Sequence, residues 1–300
     1  MVCLKARVAG LTFQPALILA SGIMGQTADS LEAMMGSGMG GVVTKSIGME
    51  PRDGHPNPTL IDVDTGLLNA MGLPNPGIQD FSKELKKFSS EKPIIGSVFA
   101  SDRDGFVHLA GIMEDGGADA VELNLSCPHA KGYGSSVGSD PALVKDIVEG
   151  VVGSVDIPVF PKLPPMSKME EISMTVEKAG AHGIVAVNTV KAMAINFETG
   201  RPILGNAYGG YSGPGIKPIA IRCVYDVYKC VNIPVIGCGG ITTGRDALEF
   251  LMAGASALQI GSSIYYRGID APQKICREME VLMDSRGYDS LSEITGIAHR

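Results

Sequence analysis

The chain repeats one pattern eight times, a short apolar run followed by a longer helical stretch. The apolar runs are continuous and rich in Val and Ile, as expected for parallel strands that are buried on both faces. The expected strands lie at about 16–20, 40–44, 93–98, 118–124, 158–162, 183–188, 234–237 and 255–260. Eight such units in a single pass favour an α/β fold of the closed (β/α)8 type, a TIM barrel, over an open doubly wound sheet.

The expected helices alternate with these strands. They lie at about 28–35, 78–88, 104–114, 141–152, 169–179, 218–231 and 244–252, and a last helix begins at residue 271. A short N-terminal hairpin precedes the barrel, with arms at 5–9 and 12–19 that turn at Gly10.

Three connections that follow strands are too long for ordinary turns, whereas the connections that precede strands are short. The long ones span residues 46–77, 128–140 and 189–217. Insertions at the C-terminal face of a barrel are where such a fold builds its site. We therefore expect the three long connections to surround one pocket.

Composition excludes several classes of function. The net charge is −7 and no run of Lys or Arg occurs, so neither nucleic-acid binding nor a membrane-surface patch is indicated. No apolar run approaches the roughly 18 residues of a membrane span, and the N-terminus does not read as a signal peptide, so we expect a cytoplasmic protein. The six cysteines are scattered without a C-x-x-C pair. Disulfides, a metal site and iron–sulfur ligation by this chain are therefore not expected.

Polar or glycine residues stand at the end of almost every expected strand. They are Ser21 with Gly22, Lys45 with Ser46, Ser97, Asn124 with Cys127, Lys162, Asn188 with Thr189, Gly239 with Gly240, and Gly261 with Ser262. Two lysines that end buried strands need partners because a desolvated ammonium is costly, and we expect that partner to be an anion from outside the chain. The set lacks a carboxylate pair and suits a flat, amide-rich heterocycle.

Glycine-rich loops follow the seventh and eighth expected strands, at Gly239-Gly240 and Gly261-Ser262. Glycine lets backbone N–H groups approach a ligand closely, and a helix N-terminus just beyond favours an anion. This is the usual phosphate position of a barrel. A pair of tight turns without a ligand is the alternative.

The fourth strand delivers an amide, a hydroxyl and a thiol at Asn124, Ser126 and Cys127. Pro128 ends the strand, and the residues up to Gly138 are mostly glycine, serine and small polar types, the composition of a mobile flap. Cys127 is a candidate catalytic base or nucleophile. A buried structural cysteine is the alternative interpretation.

Five segments together resemble one family, class 1 dihydroorotate dehydrogenases, and most closely its 1B catalytic subunit. They are Thr-Lys-Ser at 44–46, Leu-Leu-Asn-Ala-Met-Gly-Leu-Pro-Asn-Pro-Gly at 67–77, Asn-Leu-Ser-Cys-Pro at 124–128, Gly-Gly-Tyr-Ser-Gly-Pro-Gly-Ile-Lys-Pro at 209–218 and Gly-Cys-Gly-Gly-Ile at 237–241. The likeness runs in the same order from about residue 5 to about residue 285.

The resemblance implies a single barrel domain over residues 1–300 that binds FMN at its C-terminal mouth and oxidises dihydroorotate to orotate in pyrimidine biosynthesis. Cys127 would take the C5 proton while the C6 hydride goes to FMN. Lys162 would stabilise the negative charge of reduced FMN at the N1/O2 edge. Lys45 would lie between FMN and the substrate carboxylate.

The resemblance also implies two further sets of binding residues. The FMN set is Ser21, Gly22, Lys45, Ser46, Ser97, Asn124, Lys162, Val187, Gly213, Gly239, Gly240, Gly261 and Ser262, of which the last four surround the phosphate. The substrate set is Lys45, Asn69, Met71, Gly72, Leu73, Asn124, His129, Asn188 and Thr189.

Two positions depart from the family pattern. His129 stands where the family usually has an orotate-binding asparagine, and the Cys-Pro-His run also resembles the flavin domain of dihydropyrimidine dehydrogenase. Another dihydropyrimidine is therefore an alternative substrate. Ser97 stands where an FMN-contacting asparagine is expected.

The 1B likeness implies partners, because this chain has no dinucleotide fingerprint in context and no iron–sulfur spacing. Electrons would leave FMN through a separate subunit that carries FAD and a [2Fe–2S] cluster and reduces NAD. A homodimer is implied in the same way. Two rival hypotheses rank lower: a flavin-free phosphosugar aldolase with Lys162 as its Schiff-base lysine, and a catalytically silent binding subunit.

Overall fold

The computed structural model describes residues 2–125 and 137–300. Its strands are β1 (Ala6–Val8), β2 (Leu11–Phe13), β3 (Leu17–Leu19), β4 (Gly41–Val43), β5 (Leu60–Val63), β6 (Gly66–Asn69), β7 (Ile94–Val98), β8 (Ala120–Asn124), β9 (Val159–Leu163), β10 (Ile184–Ala186), β11 (Val190–Ala192), β12 (Ile195–Asn196), β13 (Arg201–Pro202), β14 (Gly209–Ser212), β15 (Val235–Cys238) and β16 (Ala255–Ile260). Its α-helices are α1 (Ala28–Gly36), α2 (Ile78–Leu85), α3 (Arg103–Asp115), α4 (Pro141–Val152), α5 (Met169–Lys178), α6 (Lys217–Cys230), α7 (Gly244–Met252), α8 (Ser262–Arg267), α9 (Ala271–Asp284) and α10 (Leu291–Ile294).

The predicted (β/α)8 barrel is confirmed. Its strands close in the order β3-β4-β7-β8-β9-β10-β15-β16, and β16 pairs back onto β3 with Leu258 opposite Leu17. Every pair in the ring is parallel. These strands are buried almost throughout, which accounts for their continuous apolar sequence.

The N-terminal hairpin is present but shorter than predicted. β1 and β2 pair from Ala6–Phe13 to Val8–Leu11, and the second arm ends at Phe13 instead of residue 19. Pro15 lacks a backbone N–H and so cannot continue the hairpin ladder. The residues after it form the separate barrel strand β3.

Two of the long connections join in one antiparallel sheet, which the sequence did not indicate. Its strand order is β11-β14-β6-β5, so a pair of strands from residues 189–217 lies beside a pair from residues 46–77, and the two pairs join where β14 meets β6. Asn69 of β6 lies opposite Gly210 of β14. A small second core of Leu68, Ala70 and Leu204 packs beneath this sheet. The sheet holds the two connections together at the C-terminal face.

Side-chain caps position several helices that follow the barrel strands. Thr27 begins α1 and Thr243 begins α7 with reciprocal capping boxes, and Asp102 accepts a hydrogen bond from Gly105 N at 2.9 Å to begin α3. The short helices α8 and α10 were not predicted. Within residues 2–125 and 137–300, no helix has both the length and the apolar character that a membrane crossing requires.

Candidate active site

A cavity of about 330 Å³ opens at the C-terminal ends of the barrel strands. It is lined by most of the residues that the sequence singled out: Ser21, Gly22, Lys45, Ser46, Asn69, Met71, Gly72, Leu73, Asn124, Lys162, Val187, Asn188, Thr189, Gly213, Gly239, Gly240, Gly261 and Ser262. Cys127 and His129 lie outside the described residues. The connections 46–77 and 189–217 both contribute to this wall, and most of 128–140 is not described.

Ser97 corrects one prediction. Its side chain is fully buried and does not line the cavity, so it is not placed to contact a ligand there. Its hydroxyl instead lies 2.9 Å from the hydroxyl of Ser46, which does line the cavity. Ser97 therefore supports the wall from behind.

A chain of hydroxyl and amide groups crosses the mouth of the barrel. The Ser46 hydroxyl lies 3.0 Å from that of Ser21 and accepts a hydrogen bond from Asn124 Nδ2 at 3.1 Å. Asn188 Nδ2 donates to Asn124 Oδ1 at 3.3 Å, and Thr189 N donates to Asn188 Oδ1 at 2.8 Å. These bonds fix the direction of each amide, so the cavity presents a defined pattern of donors and acceptors.

Lys162 has partners within the chain, which corrects the expectation that only an outside anion would balance it. Its Nζ donates to Gln259 Oε1 at 2.7 Å and lies 3.5 Å from Glu122 Oε1. Glu122 is fully buried on β8, two residues before Asn124. The ammonium is thus held at the cavity wall by a carboxylate and an amide.

Electrostatics keep Lys162 charged. Burial lowers the pKa of a lysine, but the nearby Glu122 carboxylate, with a lesser contribution from Cys238, outweighs burial and raises the pKa of Lys162 above its ordinary value of 10.5. Burial raises the pKa of the Cys238 thiol, although Lys162 opposes that shift. Lys162 is therefore a fixed cation, and Cys238 is a neutral thiol at neutral pH.

Lys45 enters the cavity directly after β4. Its backbone N–H donates to Gly25 O at 2.8 Å, and a Cβ added to Gly25 would lie 2.9 Å from Lys45 N. Such an approach requires glycine at position 25. The close packing of this turn fixes the backbone from which the Lys45 side chain extends.

The glycine loops after β15 and β16 present unused backbone donors. The N–H groups of Gly239, Gly240 and Gly261 have no hydrogen-bond acceptor among the residues that the structure describes. All three glycines line the cavity. Clustered backbone donors of this kind suit an anion such as a phosphate.

A partly buried ion pair and several hydrogen bonds brace the loop that carries Gly239 and Gly240. Asp246 Oδ2 accepts hydrogen bonds from Thr242 N and Thr243 N at 3.0 and 2.8 Å, and Asp246 Oδ1 accepts from Lys217 Nζ at 2.7 Å. Burial opposes ionisation of Asp246, but these hydrogen bonds outweigh it and lower the pKa of the carboxyl. Arg267 also donates to Thr242 O at 2.8 Å. The loop is therefore held rigidly before any ligand binds.

The opposite wall is the loop between β6 and α2. Gly72 has a φ of 75°, and a Cβ there would lie 2.6 Å from His55 N. Asn75 Oδ1 accepts hydrogen bonds from Gly48 N at 3.2 Å and Gly77 N at 2.9 Å. Asn69 Nδ2 donates to Gly210 O at 3.0 Å. These hydrogen bonds and the close approach at Gly72 hold the loop in one conformation against the sheet that β6 and β14 form.

The sequence interpretation missed Glu122, Gln259 and Cys238, which all line the cavity. The first two carried a signal that could have been used, because each is a polar residue inside an apolar run of a barrel strand, Ala-Val-Glu-Leu and Ala-Leu-Gln-Ile. No cluster of metal-ligating side chains occurs within residues 2–125 and 137–300.

Fold and site together define a class of (β/α)8 barrel protein whose C-terminal face carries a cavity lined by lysines, amides and the glycine loops that follow its last two strands. The sequence model of the dihydroorotate dehydrogenase family matches residues 3–283, and the chain belongs to this family.

Several relatives carry the name dihydroorotate dehydrogenase B (NAD(+)), catalytic subunit. That of Pyrococcus abyssi is 50% identical over 296 residues, which cover 98% of this chain and 99% of the relative. That of Thermoplasma acidophilum is 48% identical over 302 residues and covers 100% of both chains. That of Methanocaldococcus jannaschii is 46% identical over 302 residues, 99% of this chain and 98% of the relative. The resemblance to the 1B catalytic subunit is therefore confirmed.

Proposed function

We propose that this chain oxidises dihydroorotate to orotate with bound FMN, as the catalytic subunit of an NAD-linked enzyme. The observation that carries the proposal is the single cavity in which unused glycine donors, a fixed lysine cation and a row of amides meet. Membership of the dihydroorotate dehydrogenase family supplies the reaction type.

The residues present fit FMN. The N–H groups of Gly239, Gly240 and Gly261 would hold the phosphate, together with Ser262. The hydroxyls of Ser21 and Ser46, with Gly22, Gly213 and Val187, line the space beyond those loops. The cavity volume of about 330 Å³ lies within the range of about 300–1,000 Å³ that is usual for cofactor sites. When bound, FMN supplies the acceptor for the hydride that leaves C6 of dihydroorotate.

Lys162 would stabilise negative charge on the ring system at its side of the cavity. A permanently charged ammonium held by two side chains needs no reorganisation when charge develops, which is the condition for efficient electrostatic stabilisation. Its pKa, raised by Glu122, keeps this cation present throughout the neutral and mildly alkaline range.

The amide side of the cavity would orient the pyrimidine. Lys45 would pair with the substrate carboxylate, and Asn69, Asn124, Asn188 and Thr189 would bind the ring, with the Met71-Gly72-Leu73 backbone completing the wall. The hydrogen bonds among these amides restrict their orientation and so favour one pose of the substrate.

Cys127 would remove the C5 proton as the general base. A free thiol has a pKa of about 8.5, so a rate that depends on the thiolate would rise through mildly alkaline pH. This role rests on the sequence resemblance, because Cys127 lies outside the described residues. His129, which is also outside them, leaves a second dihydropyrimidine as the alternative substrate.

One observation disfavours the aldolase alternative. A Schiff-base lysine must be neutral to attack a carbonyl, which requires a lowered pKa. Burial lowers the pKa of Lys162, but the charge of Glu122 outweighs burial and raises that pKa above its ordinary value. The charge on Lys162 suits electrostatic stabilisation and opposes nucleophilic attack.

A separate electron-transfer subunit would complete the enzyme, as the words catalytic subunit in the name of the relatives suggest. That this subunit carries FAD and a [2Fe–2S] cluster is proposed on the sequence resemblance alone. Purification from native extract tests this part of the proposal, with NAD reduction by dihydroorotate as the assay. Recovery of this chain alone, active with fumarate or a quinone, would contradict it. A homodimer of the catalytic chain is proposed on the same basis, and light scattering tests it.

The function itself is tested by identifying the cofactor and the product. Acid treatment of the purified chain is expected to release FMN, and the chain with an artificial electron acceptor is expected to form orotate from dihydroorotate. A chain that neither retains FMN nor takes it up when it is supplied would overturn the proposal.

A further inference from the structure

Glu122 is a fully buried carboxylate whose contacts extend beyond its ion pair with Lys162. Its Oε2 accepts a hydrogen bond from Gln259 Nε2 at 2.7 Å, and its Oε1 accepts from Ser97 Oγ at 3.5 Å and lies 3.5 Å from Lys162 Nζ. Gln259 Oε1 accepts from the same Nζ at 2.7 Å. Glu122, Gln259 and Lys162 thus form a closed triangle across the barrel, on β8, β16 and β9.

The orientation of Gln259 follows from its two neighbours. An amide has one acceptor oxygen and one donor nitrogen. The opposite orientation would direct its NH₂ at an ammonium and its oxygen at a carboxylate, so only the observed orientation is favourable. Gln259 therefore links Glu122 and Lys162 through two short hydrogen bonds. Its amide dipole is aligned by both charges, with the oxygen toward the ammonium and the NH₂ group toward the carboxylate.

The bridge leaves Lys162 directed at the cavity. An ammonium has three donors. Among the described residues, Gln259 Oε1 accepts from one of them, Glu122 Oε1 faces another as an ion pair at 3.5 Å, and Lys162 lines the cavity with only 4% of its surface exposed. The third donor is available to a ligand.

The charge of Lys162 depends on Glu122. A lysine buried this deeply loses its proton readily in the absence of a counter-charge, and documented buried lysines have pKa values as low as about 5–6. Among the described residues, the titratable groups that act on Lys162 are Glu122 on β8 and Cys238 on β15, and burial raises the pKa of the Cys238 thiol so that it is neutral at neutral pH. Glu122 is therefore the one fixed negative charge facing this ammonium within the described chain.

We propose that Glu122 is a positioning residue for the flavin site, which acts through Gln259 to keep Lys162 protonated and directed into the cavity. The inference rests on the proposed function, because it assigns Lys162 to the ring of FMN. It predicts that the charge of Glu122, rather than its volume, sets how the bound cofactor responds to pH.

The test compares E122Q with the double variant E122Q/Q259E. E122Q removes the charge with little change of volume. The double variant moves the carboxylate to position 259, where the wild-type side chain lies 2.7 Å from Lys162 Nζ, and places an amide at 122, so the charge and the hydrogen-bond pattern are both retained.

The readout is the midpoint potential of the bound FMN between about pH 5 and about pH 9, a range that includes the pKa of about 5–6 documented for buried lysines. The slope of potential against pH counts the protons taken up with two electrons. In E122Q, Lys162 is expected to gain a proton on reduction, so the slope roughly doubles over part of the range. The double variant is expected to return to the wild-type slope. A wild-type slope in E122Q would overturn the proposal.

A second measurement covers the case in which E122Q does not fold. Selective labelling of lysine side chains, with K162M for assignment, gives the titration of Lys162 in the otherwise unaltered protein by NMR. Lys162 is expected to stay charged to above about pH 10. A Lys162 that is neutral at pH 7 would refute the inference. The NMR test needs no cofactor, so a chain that binds no FMN refutes the proposed function separately from this inference.

Discussion

Gly240 provides the sharpest structural test of the phosphate loop. Its φ is +79°, and a Cβ added there would lie 2.7 Å from Gly213 O and 2.8 Å from Lys217 N. Both neighbours are backbone atoms, so neither can move aside cheaply. Gly240→Ala is expected to displace the loop and to misdirect the N–H groups of Gly239 and Gly240.

The magnitude follows from two contributions. A left-handed backbone conformation costs a residue with a Cβ about 1–2 kcal/mol, and overpacking adds about 1–3 kcal/mol. We expect Gly240→Ala to lower the free energy of unfolding by about 2–5 kcal/mol. Loss of one hydrogen bond to a charged phosphate is worth about 1.5–3 kcal/mol, so the affinity for FMN should fall by about 10-fold to 150-fold.

Gly10→Ala is the matched control. Gly10 has a φ of +85°, but nothing lies within 4 Å of an added Cβ, and it sits in the β1–β2 turn away from the cavity. It should lose only the backbone contribution of about 1–2 kcal/mol and should bind FMN normally. Urea unfolding and FMN titration of the apoprotein by fluorescence measure both effects. Unchanged FMN affinity in Gly240→Ala would refute the assignment of this loop to phosphate.

Three further predictions concern the core, the loop brace and the proposed base. Phe160→Ala removes a fully buried side chain and should lower the free energy of unfolding by about 3–5 kcal/mol. Phe197→Ala removes a side chain that is 94% exposed and should change the free energy of unfolding by less than about 0.5 kcal/mol. Equal effects of the two variants in urea denaturation would contradict the assignment of Phe160 to the core. Hydrogen bonds lower the pKa of Asp246 below its ordinary value of 3.8. The stability that the Asp246 carboxylate contributes is therefore present above that value and is lost as the pH falls through the folded-state pKa. Wild type and Asp246→Asn should differ in unfolding free energy at pH 7 and converge in acid. Cys127→Ser should retain FMN, but dihydroorotate should reduce that FMN at least about 100-fold more slowly, as expected for loss of a general base. A wild-type rate of FMN reduction in stopped flow would exclude the Cys127 thiol as the base.

Local sequence patterns were sufficient to predict the barrel. Each strand is a continuous apolar run, and each is followed by a helix that needs no distant partner to be recognised. The sheet over the mouth could not be predicted in this way, because Asn69 and Gly210 meet across 141 residues of chain and β6 and β14 are only four residues long. Pairing at that distance leaves no local periodicity to detect.

The sequence anticipated that the strand-end residues line one cavity, and it did not anticipate the partners that come from inside the strands. Lys162 was identified from its position, but its partners Glu122 and Gln259 come from β8 and β16, and only closure of the barrel brings them together. Ser97 was expected to face the ligand, whereas the structure places it behind Ser46. The direction of a side chain in a barrel depends on the register of its strand, and a single sequence does not specify that register.

The visible spectrum of the purified protein, recorded before and after anaerobic addition of dihydroorotate, tests the cofactor and the substrate together. Oxidised-flavin bands are expected, and dihydroorotate should bleach them whereas dihydrouracil should not. Bleaching by dihydrouracil alone would contradict the assignment of the substrate. A protein that stays colourless after FMN is added and the excess is removed would contradict the flavin site itself.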